Sequence, residues 1–271
     1  MPINPQFIHN WYLRAIINPV RNGLFNRSGT LNNYLTMFRK AAIISGGGSG
    51  LGLEIASILA EKGRNVIILG RNGHKLAGAL EKLRQKTGGN FAESIVCNIG
   101  NVEDIRKTGE YLQRNGIVAE YLFNNAGSGL ISEASSSTGT MIDQVFEANL
   151  KGMILLTSEI LRITPPEEEL TIVNIMSTSA LLGRAGETIY CAAKFGARGY
   201  TEALRTELKG TRRNIIAVYP GGMKTEFWEM PGQNRDVSRY MDPADVALKI
   251  INAVTVSDRM VVSDLTINRK G

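Results

Sequence analysis

From residue 41 onward, short β-rich apolar runs alternate with longer amphipathic stretches. No other feature constrains the fold of this chain as strongly. Strand signals fall at 41–45, 65–70, 91–97, 120–124, 170–176, 214–219 and 259–263. Helical signals lie between them at 51–62, 73–87, 102–115, 136–163, 188–209 and 243–255. The apolar runs lack clean two-residue alternation, which marks strands covered on both faces. Strand and helix in regular succession predict a parallel sheet with right-handed crossovers. The expected fold is α/β: a doubly wound, seven-stranded parallel sheet with helices on both faces, in a single domain over residues 39–271.

Composition narrows the function classes. No apolar run exceeds five residues, as at Ile215–Tyr219, whereas a membrane span needs about 20. The two cysteines, Cys97 and Cys191, give no disulfide framework and suit a reducing, cytoplasmic setting. His9 and His74 are far apart, and no ligand spacing exists for a metal site. The formal charge of +6 invites an acidic partner, but its distribution argues against nucleic acid. Arg14, Arg21, Arg27, Arg39 and Lys40 fall in residues 1–40 with no acidic residue, and the rest of the chain is balanced to within one charge.

Residues 1–38 therefore read as a basic extension. Phe7, Ile8, Trp11, Tyr12, Ala15 and Ile16 recur at helical spacing, and Pro19 stops that pattern. Three readings stay open for it. They are an arm packing on the body or on another subunit, a mitochondrial transit segment, and a membrane-surface helix. Any membrane association is expected through this segment alone.

Glycine is abundant, 29 of 271 residues against a usual ~7%. Several glycines cluster in Ser45-Gly46-Gly47-Gly48-Ser49-Gly50-Leu51-Gly52, between the first strand and the first helix. Such a turn lets backbone approach a pyrophosphate closely, with the helix N-terminus favouring the anion. The second strand ends in Leu69-Gly70-Arg71-Asn72 and offers no carboxylate for a ribose 2′-hydroxyl. Arg71 instead suits a 2′-phosphate, so NADP(H) is favoured over NAD(H).

Further motifs follow in order. Asn124-Asn125-Ala126-Gly127 ends the fourth strand signal, and Asn149 lies in Glu147-Ala148-Asn149. Ser177 precedes Tyr190 by 13 residues, Tyr190-Cys191-Ala192-Ala193-Lys194 is a YxxxK, and Pro220-Gly221 with Thr225 is a PGxxxT segment. From about residue 39 to the end, the chain resembles the short-chain dehydrogenase/reductase family, with its Rossmann-like fold. Ser45 stands where the family usually has Thr in its TGxxxGxG turn. Asn98 stands where many members have Asp. Ser49 stands where NADP-using relatives often carry a basic residue.

The resemblance implies a catalytic set of Asn149, Ser177, Tyr190 and Lys194. It implies a cofactor set of Gly46, Gly48, Ser49, Gly50, Leu51, Gly52, Arg71, Asn98, Ile99, Asn125, Ala126, Gly127, Tyr190, Lys194, Pro220, Gly221, Met223 and Thr225. Tyr190 and Lys194, four apart on a helix, share a face. A nearby ammonium is expected to lower the tyrosine pKa from near 10. Tyr190 would exchange a proton with the substrate oxygen, Ser177 would hydrogen-bond that oxygen, and Asn149 would position a water for Lys194. Dimers or tetramers built on the 136–163 and 188–209 helices are also implied.

The substrate wall is expected from Ser128–Ile131, Thr178–Glu187 and Glu226–Tyr240. The last carries Phe227, Trp228, Met230 and Pro231, residues suited to a hydrophobic carbonyl or alcohol. The leading expectation is an NADP(H)-dependent carbonyl reductase or alcohol dehydrogenase. A 3-oxoacyl-thioester reductase of fatty-acid metabolism and a non-catalytic nucleotide-binding scaffold are the alternatives.

Overall fold

In a computed structural model, residues 38–228, 236–255 and 260–270 are described. The amphipathic pattern at Phe7–Ile16 and the Met230–Gly232 stretch of the substrate wall lie outside the described residues. Strand β1 (Arg39–Ser45) leads through α1 (Gly50–Glu61), β2 (Asn65–Gly70), α2 (Gly73–Arg84), β3 (Ala92–Val96) and α3 (Val102–Arg114) to β4 (Ile117–Asn124). Next come α4 (Gly139–Phe146), a π-helical turn (Glu147–Lys151), α5 (Gly152–Ile163), β5 (Leu170–Ile175) and α6 (Thr188–Glu207). Strand β6 (Arg213–Pro220), α7 (Pro243–Val254) and β7 (Asp264–Ile267) complete the order.

All seven strands are parallel, in the order β3-β2-β1-β4-β5-β6-β7. The predicted doubly wound, Rossmann-like sheet is what forms. Strand pleat divides each apolar run between two cores. Ala42, Ile44, Val66, Ile68, Phe123, Val173 and Val218 face one side, with Leu51, Ile55 and Leu59 of α1 and Val246, Ile250 and Ile251 of α7. Ala41, Ile43, Ile67, Leu69, Leu122 and Ile172 face the other, with Ile105 and Leu112 of α3 and Leu156 and Ile160 of α5. Burial on both faces is why these strands show no alternation in the sequence. Strand order reverses direction at β1, between β2 and β4, and this opens a crevice at the carboxyl ends there.

Two expectations change. The stretch 136–163 is not one helix. Thr138 caps α4 by accepting from Met141 N, and the helix runs into the π turn before α5 resumes. An extra residue per turn is often found at functional sites, and here it directs Asn149 inward, 1% exposed. The last strand is not 259–263 but begins at Asp264. Ala217 N donates to Ser263 O, and Arg205 both donates to that carbonyl and pairs with Asp264. These bonds set the register on Ser263–Ile267, with Ile267 and Leu265 packing toward α7. Met260, Val261 and Val262, the apolar run that suggested a strand, are exposed. No helix among the described residues is long and apolar enough to cross a membrane.

Candidate active site

The glycine turn after β1 is held against the end of β4 by hydrogen bonds and by contacts that exclude a side chain. Ser45 Oγ donates to Phe123 O and accepts from the backbone N–H groups of Asn125 and Ala126 at 3.0 and 3.1 Å. Asn125 Nδ2 returns the link, donating to Ser45 O and Gly46 O. Gly46 has φ +67°, and a Cβ there would lie 2.9 Å from Ala126 Cα; on Gly52 it would lie 2.4 Å from Gly46 O. Ser49 is the N-cap of α1, yet its side chain makes no capping bond and no acid stands in the first turn. Helices α2, α3 and α7 are capped by Asn72, Asn101 and Asp242. The first N–H groups of α1 thus remain available to an anion.

Beyond this turn lies a cavity of about 840 Å³. Gly46, Ser49, Gly50 and Leu51 line it from the turn, and Arg71, Asn98 and Ile99 from the ends of β2 and β3. Asn125, Ala126 and Gly127 line it after β4, and Pro220, Gly221, Met223 and Thr225 after β6. Ser177, Tyr190 and Lys194 close the far end. Three sequence candidates stand outside the lining. Gly48 lies beside Lys75 and Leu76, Gly52 lies against Gly46 O, and Asn149 sits next to Gly127.

Tyr190 and Lys194 emerge from the first two turns of α6 and are each 3% exposed. Lys194 Nζ lies 5.7 Å from the centre of the Tyr190 ring and donates to Ile175 O at 3.4 Å. Phe227 meets the Tyr190 ring edge-on at 5.9 Å. The expected lowering of the Tyr190 pKa by the ammonium does not occur. Complete burial drives it well above the ordinary value, and a hydrogen bond with Ser177 only partly offsets this. Burial also pushes the Lys194 ammonium down to about 8, which weakens the charge expected to act on the phenol.

Below these groups a buried polar network ties β4, β5, α5 and α6 together. Asn124 Nδ2 donates to Thr157 Oγ1 and Asn174 Oδ1, both at 2.8 Å. Asn174 Nδ2 donates to Thr201 Oγ1, which donates to Ala197 O. A buried network of this kind fixes relative positions, here of the helix that carries Tyr190 and Lys194, although Asn124 Oδ1 has no hydrogen-bond partner among the described residues. Asn149 Nδ2 donates to Ser128 O and Val145 O. Its Oδ1 is buried with no hydrogen-bond partner among the described residues.

The short chain dehydrogenase sequence pattern matches residues 40–236. The chain belongs to the short-chain dehydrogenase family. It is 26% identical over 228 residues to a Staphylococcus aureus protein named only as an oxidoreductase, covering 84% of this chain and 96% of the relative. It is 29% identical to the sepiapterin reductase of Chlorobaculum tepidum, covering 82% and 93%. Among solved structures, a variant of actinorhodin polyketide ketoreductase with NADPH superposes with a TM-score of 0.75, at 27% identity over 84% of this chain and 95% of that one.

Three residues at or beside this short-chain dehydrogenase cavity have roles that no local sequence pattern assigns. Ser45 was visible only as a substitute for Thr, without its stitching role. Lys75 lines the cavity and ion-pairs with Glu226 on another wall, a pairing across 151 residues that no local pattern reveals. Glu187 lines the cavity as a buried carboxylate. Its signal was its place three residues before Tyr190, but a glutamate at a helix start ordinarily reads as solvated.

Proposed function

We propose that this chain is an NADP(H)-dependent oxidoreductase that interconverts a carbonyl compound and its alcohol. The observation that carries this reading is the convergence of Ser177, Tyr190 and Lys194 at one end of a cavity whose other end is a glycine turn. The residues present fit a nicotinamide dinucleotide. A Cβ on Gly46 or Gly52 would collide with backbone, and the α1 N-terminus carries no capping side chain.

Gly46, Ser49, Gly50 and Leu51 would hold the pyrophosphate, with Asn98 and Ile99 at the adenine end. Asn125, Ala126, Gly127, Pro220, Gly221, Met223 and Thr225 would line the path to the nicotinamide. Gly48 and Gly52 act by shaping the turn. Arg71 is exposed and makes no hydrogen bond or ion pair among the described residues, which leaves its guanidinium to a 2′-phosphate. The related ketoreductase bound to NADPH supports this preference.

When bound, the nicotinamide supplies or accepts the hydride. Tyr190 donates its hydroxyl proton to the substrate oxygen in reduction and takes one back in oxidation. Its raised pKa keeps that proton in place for the reductive direction. Ser177 donates a hydrogen bond to the same oxygen, where negative charge develops. Lys194 stabilises the phenolate left behind and holds ribose hydroxyls. Asn149 Oδ1 accepts from a water that passes protons toward Lys194, since a buried acceptor of this kind recruits water.

The test is a panel of ketones, aldehydes and alcohols run with NADPH/NADP and NADH/NAD. Carbonyl-dependent oxidation of NADPH, faster than that of NADH, is expected. Absence of any carbonyl- or alcohol-dependent turnover with either cofactor would overturn the reading in favour of a nucleotide-binding scaffold. A strong preference for 3-oxoacyl thioesters would move it to the thioester reductase that the ketoreductase likeness also favours.

A further inference from the structure

Glu187 has no part in the roles assigned above, although it sits at the reacting end of the cavity. It is the N-cap of α6, one turn before Tyr190, and is 4% exposed. Its Oε2 accepts from Ser179 Oγ at 3.0 Å. Ser179 N–H in turn donates to Ser177 Oγ at 3.1 Å. The carboxylate is thereby anchored to the loop that carries Ser177. Its negative charge reaches the Tyr190 hydroxyl and contributes to the raised pKa there.

Leu130, Met141, Val145, Ile189 and Phe227 pack around Tyr190 as an apolar cluster, with Ser177, Thr178 and Ser179 lining the same cavity. In such surroundings a charge acts over a longer distance than in water. Two cations also line this end. Arg184 is exposed, with its guanidinium donating to Thr178 Oγ1 at 3.0 Å, so solvent and salt screen it. Lys194 holds its ammonium beside the Tyr190 ring and the Ile175 carbonyl. Glu187 is the buried anion among them.

We propose that Glu187 is a specificity-determining residue, selecting carbonyl or alcohol substrates that carry a protonated amine on an apolar body and disfavouring those that carry a carboxylate. An ammonium would form a charge-assisted bond with Glu187. A substrate carboxylate would place like charges together in a low-dielectric pocket, a repulsive element of the kind that builds selectivity. The inference rests on the carbonyl–alcohol reading above and adds the substrate class to it.

The experiment uses the full chain with NADPH and three matched aldehydes. These are para-(dimethylaminomethyl)benzaldehyde, para-isopropylbenzaldehyde and para-carboxybenzaldehyde. The tertiary amine is protonated at neutral pH and cannot condense with the aldehyde. In wild type, kcat/KM should follow the order cation, neutral, anion. In Glu187→Gln, which keeps the shape and the acceptor for Ser179, the cation-to-anion ratio should fall by about tenfold or more, mainly through KM. An unchanged ratio would overturn the inference. Because the ratio is internal to each protein, a general loss of activity does not mimic the effect. If wild type reduces none of the three aldehydes, the broader panel of ketones, aldehydes and alcohols decides the carbonyl reading separately. Calorimetric titration with benzyldimethylammonium and with benzoate then decides the inference. Wild type should bind the cation more tightly and Glu187→Gln should lose that preference; equal affinities in wild type would overturn it.

Discussion

Asn149 Oδ1 lies where a Cβ on Gly127 would come within 2.7 Å of it, and the same Cβ would lie 3.6 Å from Lys194 Nζ. The asparagine amide cannot retreat freely, because its Nδ2 already donates to Ser128 O and Val145 O. Gly127 has no positive φ, so alanine there is a test of space rather than of backbone strain. Gly127→Ala is expected to displace Asn149 and cut kcat on the order of a hundredfold, with the chain still folded by circular dichroism. Wild-type kcat in that variant would refute the role given to the Gly127–Asn149 contact.

Tyr190→Phe keeps the ring against Phe227 and removes only the hydroxyl that bonds with Ser177. Turnover should fall by about a thousandfold. NADPH affinity, read by fluorescence titration, should change little. Undiminished carbonyl reduction would remove Tyr190 from the proton transfer.

Much of this site was legible because its motifs are local. The glycine turn, the YxxxK spacing and the PGxxxT segment each lie within a few residues of one strand end, and the regular succession of strand and helix signals predicts the doubly wound parallel sheet. What was not legible depends on contacts far apart in sequence or on small departures from regular geometry. The π turn at Glu147–Lys151 keeps nearly the periodicity of the helices around it, so 136–163 read as one helix. The run at Met260–Val262 has strand character but faces solvent, because Arg205 and Ala217 hold the next residue instead. Tyr190 illustrates a third limit: spacing places Lys194 beside it, but the sign of its pKa shift depends on burial that spacing does not report.

Arg71→Ala should weaken NADPH far more than NADH. A charge-assisted hydrogen bond is worth ~1.5–3 kcal/mol, so a loss of about ten- to hundredfold in NADPH affinity is expected. Parallel titrations with both cofactors measure it. Equal losses would remove Arg71 as the selector and would turn attention to Lys75, which is engaged with Glu226.

Lys194 gives a pH signature in stability that needs no substrate. Burial lowers its folded pKa to about 8 from 10.5. Below pH 8 both folded and unfolded chains hold the proton, and the folded state bears the full cost of a buried ammonium. Between about 8 and 10.5 the unfolded chain binds more protons than the folded one, so this contribution to stability rises with pH. Lys194→Met removes the charge while keeping a long apolar stem. At pH 7 the variant should be more stable than wild type by about 3 kcal/mol at most, as measured by denaturant unfolding. That advantage should shrink as pH rises from 8 toward 10.5. Tyr190 titrates in both proteins and so largely drops out of the difference. A stability difference that stays constant across this window would show that Lys194 is not held at a lowered pKa in the folded chain.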